Sequence, residues 1–357
     1  MNDRHGTGGA AEGALPGWGP MGRRQGAGAV SVIVTVRDER ASIYALLDSL
    51  ALQRRAPDEI VVVDGGSRDG TLEALQARAG RGELPLVVLS RPGANISAGR
   101  NAAIAAASGP VIASTDAGVR LDDVWLAELV APMERGARFV GGFFGSAPQT
   151  PFELALGAAT LPEASEIDAR RFLPSSRSVA FLKEDWARAG GYPEWLDYCE
   201  DLVFDFRLRA VAGPQAFAPA AMAWFRPRSN LTAFARQYYR YARGDGKAGL
   251  WPWRHAVRYA VYGAAAPALV WLAWARHPLW CLGLAAGAAW MLRRPYARLA
   301  RQWRGYDVTQ RALAVAWVPA IRVVGDLAKM LGYPAGVWWR VRHGAPAWRP
   351  AAADGRR

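Results

Sequence analysis

The chain has 357 residues and a hydrophobic content of 51%, enough for one large domain or two ordinary ones with a sizeable core. Its two cysteines, Cys199 and Cys281, lie far apart and its four histidines form no cluster, which excludes a disulfide framework and a zinc site of the usual spacing. The net charge of +13 is unevenly placed: from Arg258 onward 15 Lys+Arg face 3 Asp+Glu, in arginines that flank apolar runs, which argues for a membrane surface and against a nucleic-acid partner.

Residues 1–28 are rich in Gly, Ala and Arg, lack periodicity and contain no apolar leader core, so a disordered tail without a signal peptide is expected. From residue 30 to 144, short β-branched runs alternate with helical stretches. Strands are expected at 30–36, 60–63, 86–89, 110–115 and 138–144, with helices at 40–53, 70–79, 95–107 and near 122–134. This alternation predicts a doubly wound, mostly parallel α/β sheet. Beyond 146 the rhythm breaks. A helical stretch at 151–159, a loop at 160–177 and a strand at 179–182 precede helices at 183–189 and 200–211. A short strand near 215–218 and a helix at 230–243 complete this part. Gly190-Gly191 is a fitting helix stop.

Two uncharged apolar runs follow, Tyr259–Ala275 and Leu279–Leu292, separated by Arg276-His277-Pro278. The first is about long enough to span a bilayer core and the second is short, so a tight helical hairpin is expected. Arginines 293, 294, 298, 301 and 304 come next and place that flank on the cytoplasmic side. The stretch 312–339 holds Arg322, Asp326 and Lys329, which suits an interfacial or re-entrant helix better than a span. A buried hairpin of a soluble helical domain is the alternative. The expected organisation is a tail at 1–28, an α/β domain at 29–250, a membrane-associated helical region at 251–345 and a second tail at 346–357.

Three strands end on acids: Asp38-Glu39 after the first, Asp64 after the second and Asp116 after the fourth. Ligands of such sheets sit beyond the carboxyl ends of the strands, so three carboxylates on one edge point to a charged, metal-assisted ligand. The turn Asp64-Gly65-Gly66-Ser67-Arg68-Asp69-Gly70-Thr71 lets a backbone approach an anion at a helix start. It is neither GxGxxG nor a P-loop, so dinucleotide and ATP sites of those types are not expected. Asp69 reads as a helix cap.

In order and spacing the chain resembles the family 2 inverting glycosyltransferases of the GT-A fold. The resemblance runs over about residues 30–250. It rests on Asp38-Glu39, the Asp64–Thr71 loop (with one extra residue before its Ser), Ser97–Asn101 and Asp116-Ala117-Gly118 at the DxD position. It continues through Gly190–Glu194, the pair Glu200-Asp201, and Gln237-Tyr238-Tyr239-Arg240-Tyr241 in place of QxxRW. The resemblance implies a GT-A-type sheet followed by a helical membrane segment, and an enzyme that moves a sugar from a nucleotide-sugar donor, a UDP-sugar, to a hydroxyl of a lipid-linked or glycan acceptor. It implies that Asp38, Glu39, Asp64, Arg100 and Asp116 bind the nucleotide sugar. Asp116 would ligate an Mg²⁺ or Mn²⁺ cofactor. Asp201 would be the base, with Glu200 the runner-up, and Gln237, Arg240 and Tyr241 would meet acceptor and diphosphate.

The residues themselves leave alternatives. Arg100 equally fits a helix-surface salt bridge, and Glu200-Asp201 a helix-capping pair. Gly118 removes the second DxD acid. The expected partners are the nucleotide sugar, the acceptor and membrane lipids, with the catalytic domain on the cytoplasmic face of the inner membrane. A processive polysaccharide synthase, a catalytically inactive GT-A-like partner and a nucleotidyltransferase are the other readings.

Overall fold

The structure, a computed structural model, describes residues 28–349. Of the tails expected at 1–28 and 346–357, residues 1–27 and 350–357 lie outside the described residues. Eight strands form one sheet: β1 (Val30–Val36), β2 (Glu59–Asp64), β3 (Leu86–Ser90), β4 (Val111–Asp116), β5 (Val119–Leu121), β6 (Phe139–Ser146), β7 (Val179–Leu182) and β8 (Ala216–Phe225). Their order is β3-β2-β1-β4-β7-β6-β8-β5. The intervening helices are α1 (Ile43–Ala51), α2 (Thr71–Gly80), α3 (Ile96–Ala106), α4 (Trp125–Glu134), α5 (Pro151–Thr160), α6 (Lys183–Arg188) and α7 (Glu200–Ala212).

β1 and β2 are almost wholly buried, as continuous β-branched runs covered on both faces must be. One face packs on α1 and α4, through Leu46, Leu50, Trp125 and Leu129. The other packs on α3 and α7, through Ile104, Phe204 and Leu208. The register aligns Val36 with Asp64 and Thr35 with Asp116. The carboxyl ends of β1, β2 and β4 therefore open onto one edge, as the acid-terminated strands predicted.

The sheet is less uniform than strand–helix alternation predicts. β1, β2, β3 and β4 are parallel neighbours, whereas β7 runs antiparallel to both β4 and β6, and β5 antiparallel to β8. Apolar periodicity marks a strand but carries no information on its direction. Three-residue β5 leaves no periodic signal, and β8 runs to Phe225, past the expected end near 218.

Five more helices follow: α8 (Leu231–Ala248), α9 (Pro252–Ala260), α10 (Ala266–Ala275), α11 (Cys281–Gln302) and α12 (Val308–His343). A π-turn at Val261–Ala265 joins α9 to α10, so Pro252–Ala275 is one continuous helical run of 24 residues. It is the one helix among the described residues long and apolar enough to cross a membrane, and none of its apolar window is buried. α10 and α11 contact each other across the short connection 276–280, which is the expected hairpin. Trp271, Trp274 and Trp290 stay exposed on it. The arginine-bearing half of α11 instead packs on α5, and in the turn after α5 Arg298 pairs with Glu166 and Arg301 with Glu163.

The stretch expected to lie at an interface is the middle of α12, which packs lengthwise on α8. Along part of its length the contact is made through glycines. A Cβ on Gly332 would meet the carbonyl oxygen of Tyr239, one on Gly336 that of Arg243, and one on Gly246 that of Tyr333. Backbone thus lies on backbone, with no side chain between. Residues 346–349, expected in a tail, are described, and Trp348 is buried against Leu196, Val203, Ala248 and Leu250. Its indole N–H donates to the Ala248 carbonyl at 2.8 Å.

Gly332→Val must push α12 off the α8 backbone. We expect it to lower unfolding free energy by about 1–3 kcal/mol, the usual cost of overpacking. Chemical denaturation of full-length protein in detergent, with an exposed α12 position such as Leu331→Val as control, measures this.

Candidate active site

A cleft of about 820 Å³ lies at the carboxyl edge of β1, β2 and β4, and α8 forms its far wall. Glu39, Asp116, Gln237 and Tyr241 line it; Asp38, Asp64, Arg100, Glu200, Asp201 and Arg240 do not. Four arginines (37, 177, 226 and 228) also line it, so guanidinium groups outnumber carboxylates there.

Behind the lining, Arg100 is 2% exposed. It projects from α3 and donates to Glu200 at 2.7 Å and to Asp116 at 2.8 Å. One side chain thereby fixes the end of β4 to the start of α7. The surface salt bridge that the sequence left open for Arg100 is excluded by this burial. Arg177 approaches the second Asp116 oxygen at 3.3 Å, and its guanidinium lies over the Phe225 ring. Burial works to raise the Asp116 carboxyl, but Arg100 and Arg177 outweigh it and hold it below the usual carboxylate range. No motif or period distinguishes Arg177 in the sequence; only folding of the 160–177 loop carries it to the DxD acid.

Glu200 and Asp201 open α7 after Cys199, whose φ of 65° turns the chain into the helix. Burial, and then neighbouring Asp201, push Glu200 up to about 7. Burial also raises Asp201, against the opposing pull of Arg100. The two acids differ in partners. Glu200 is ion-paired to Arg100, whereas among the described residues the Asp201 carboxylate accepts only the N–H of Leu202 at 2.9 Å. One turn on, Asp205 is 3% exposed, and among the described residues its Oδ2 has no hydrogen-bond partner. Burial, then Asp201, pushes its carboxyl well above the usual carboxylate range. Sequence reading passed over Asp205, and an acid at i+4 from Asp201 on a helix that also buries Phe204 and Leu208 was the available signal.

The acids of the first two strand ends are used within their loops. Asp64 is 1% exposed and accepts from the N–H of Gly66 and of Ser67. Asp38, at φ 55°, accepts from the N–H of Arg68 at 2.8 Å, so it joins the two loops. Asp69 accepts from the N–H of Thr71 and of Arg40, and the Thr71 hydroxyl, then Arg40, hold it below the usual range. Glu39 alone of these faces the cleft. A Cβ on Gly118 would sit 3.7 Å from a Glu39 carboxylate oxygen. Glu39 thus occupies the direction in which a second DxD acid would project. On α8, Gln237 donates to the Tyr241 hydroxyl at 2.7 Å, while Arg240 turns away to the Tyr198 hydroxyl at 3.0 Å.

Among the described residues no group of three or more His, Cys, Asp or Glu could hold a metal ion. The donor set still fits one hard cation. A carboxylate offers about four lone-pair sites, so the two guanidinium contacts leave Asp116 room for an ion, and Glu39, the other carboxylate lining the cleft, is an oxygen donor of the kind such an ion takes.

Residues 31–177 match the family model described as "Glycosyl transferase family 2". Over those residues the chain is similar to family 2 glycosyltransferases, and its fold is of the GT-A type. Undecaprenyl-phosphate 4-deoxy-4-formamido-L-arabinose transferase of Pseudomonas fluorescens is 34% identical over 119 residues, which are 31% of this chain and 34% of that protein. The match thus spans about a third of that relative's length. A mannosyltransferase of Pyrobaculum calidifontis, solved in complex with GDP-Man and Mn²⁺, shares the fold with a TM-score of 0.59. That likeness covers 87% of this chain and 91% of the other at 22% identity. The matched family 2 segment holds every strand-end acid, and Arg177 is its last residue.

Burial raises the Asp205 carboxyl well above its value in the unfolded chain, about 4. The native state then binds more protons, so stability falls as pH rises from that point. Asp205→Asn should cost less than about 1 kcal/mol and should lessen this decline. Thermal melts between pH 5 and 8 compare the two proteins.

Proposed function

We propose that this protein transfers a sugar, with inversion, from a UDP-sugar to a hydroxyl of a lipid-linked or glycan acceptor at the cytoplasmic face of the inner membrane. The observation that carries this reading is the pairing of an arginine-lined cleft at the strand edge with a buried acid pair behind Asp116. Guanidinium groups suit a diphosphate, which they can bind bidentately. The name of the Pseudomonas relative, a transferase of an undecaprenyl phosphate, favours a phosphate-bearing lipid as the acceptor class.

In this reading Arg177 and Arg228 hold the diphosphate, and Glu39 and Asp116 face the donor. A divalent cation, where bound, would be held by Asp116 and Glu39 and would neutralise charge on the departing diphosphate. Asp201 is the base. Its carboxylate takes the acceptor hydroxyl proton as the new oxygen–carbon bond forms and the bond from the sugar carbon to the diphosphate oxygen breaks. Glu200, tied to Arg100, keeps Asp201 in place, and burial raises the affinity of Asp201 for that proton. The exposed tryptophans of the α10–α11 hairpin and the basic flank of α11 support insertion from the cytoplasmic side. A processive synthase would want more than the one crossing-length helix found among the described residues. An inactive partner would have no use for a buried, proton-accepting acid pair.

Asp201→Asn should reduce transfer about a hundredfold or more while UDP affinity holds. The wild-type rate should fall as pH drops through about 7, where the coupled acid pair takes up a proton. Single-turnover assays with radiolabelled donor test both, and near-normal turnover of Asp201→Asn would move the role of base to Glu200.

Calorimetric titration of UDP with and without EDTA tests the cation. Wild type should lose at least tenfold in affinity with EDTA, and Asp116→Ala should bind weakly in both conditions. Equal affinity in all four experiments would exclude Asp116 as a ligand.

A further inference from the structure

Three successive residues before the acid pair are gripped by α8. Asp197 accepts from Arg243 at 3.1 Å and from Lys247 at 3.4 Å, and the Tyr198 hydroxyl accepts from Arg240 at 3.0 Å. The thiol of Cys199 is shared between the Tyr241 carbonyl at 3.3 Å and Asp245 Oδ1 at 3.4 Å. A Cβ on Gly244 would stand 2.5 Å from the Tyr198 carbonyl oxygen and 3.0 Å from Cys199 Sγ, so the α8 backbone itself lies against this segment. Cys199 sits at φ 65°, in the left-handed region that a side chain disfavours, and its side chain makes no cap to α7. A backbone strained in this way keeps its shape only where the surroundings enforce it.

Of these contacts, the one to Asp245 leads further. Asp245 Oδ2 lies 3.1 Å from His255 Nε2, and His255 Nδ1 lies 3.2 Å from an Arg258 nitrogen. A guanidinium only donates, so Nδ1 accepts and the Nε2–H of His255 donates to Asp245. Arg258 Nε donates in turn to Asp326 at 2.8 Å, and the Tyr262 hydroxyl donates to the same carboxylate at 3.1 Å. His255 is 2% exposed and stacks on the Tyr333 ring of α12, with 3.8 Å between centroids. His255, Arg258 and Tyr262 recur at i, i+3 and i+7, on one face of the Pro252–Ala275 run. A continuous polar chain thus leads from that run to the residue before Glu200.

We propose that Asp245 and His255 are positioning residues for the acid pair. Acting through Cys199, they hold the first turn of α7, and with it Asp201, in a fixed place relative to the Pro252–Ala275 helix. The proposal rests on the glycosyltransferase reading, in which Asp201 is the base.

Full-length protein in detergent is tested by two measurements. The first is hydrogen exchange over residues 200–206, where the opening helical bond runs from the Val203 N–H to the Cys199 carbonyl at 3.3 Å. Asp245→Ala and His255→Ala should each speed exchange there about tenfold or more and leave β1 and β2 unchanged. His255→Gln, whose amide can donate to Asp245 while its carbonyl accepts from Arg258, should restore the wild-type exchange. Asp245→Asn fits the same space and removes only the bond from His255, so it carries the test if an alanine variant does not fold. Cys199→Ala should speed the same exchange, and adding Asp245→Ala to it should bring no further increase.

The second measurement is single-turnover transfer at saturating UDP-sugar. Both alanine variants should lose about tenfold or more in rate while UDP affinity holds, because a displaced base weakens the chemical step and not donor binding. Unchanged exchange at 200–206 in the variants, or additive effects of Cys199→Ala and Asp245→Ala, would overturn the proposal. So would faster exchange with an unchanged transfer rate, or an equal acceleration in β1 and β2, the mark of general destabilisation. Exchange as described in a wild type that transfers no sugar would leave the positioning contacts standing and sink the transferase reading instead.

Discussion

Everything near the reacting edge depends on where Arg100 is held. Its guanidinium is buried in the α3 wall and satisfies acids from two elements far apart in the chain, Asp116 at the end of β4 and Glu200 at the head of α7. Removal of one partner from such a buried set is severe, of the order of 3–5 kcal/mol, because the remaining charges stay desolvated. The arrangement also divides labour between adjacent acids. Glu200 is neutralised by the arginine, so Asp201 is left as the acid with no cationic partner of its own. A single cation thus sets the sheet edge, the helix start and the proton affinity of the neighbouring pair.

Much of this could be read before folding because the strand-end acids sit in order along the chain, each after a run of valines or isoleucines. Parallel register then brings their carboxyl ends together with no further information. Residue identity was a weaker guide to what each acid touches. Asp64 matches a nucleotide-binding loop by spacing, yet its carboxylate is spent on the N–H groups of that loop. Arg240 follows Gln237 at helical spacing, yet the helix carries it past the cleft to Tyr198. Arg177 and Asp205 were invisible for different reasons. The first is placed by a long irregular loop, which has no period. The second is an acid in an apolar helix face, where pattern alone cannot say whether the group is charged or protonated.

The replacement of a DxD acid by Gly118 is compensated locally. Glu39, on the loop after β1, reaches the space that a side chain at 118 would have taken. An aspartate at 118 would bring a second carboxylate against Glu39, so the glycine and the glutamate are mutually consistent. The number of carboxylates facing the cleft is thus kept at two, while their origin shifts from one strand end to two.

Trp348 has a consequence for the order in which the molecule is completed. It seals the apolar space under Leu196 and Val203, and Val203 lies on the same helix as the acid pair. The hairpin precedes it in the chain by more than forty residues. During synthesis the apolar helices therefore leave the ribosome before the residue that closes the floor of α7. The acid helix of a nascent chain therefore still lacks one wall when the hairpin has emerged, and becomes fully packed only once residue 348 has followed.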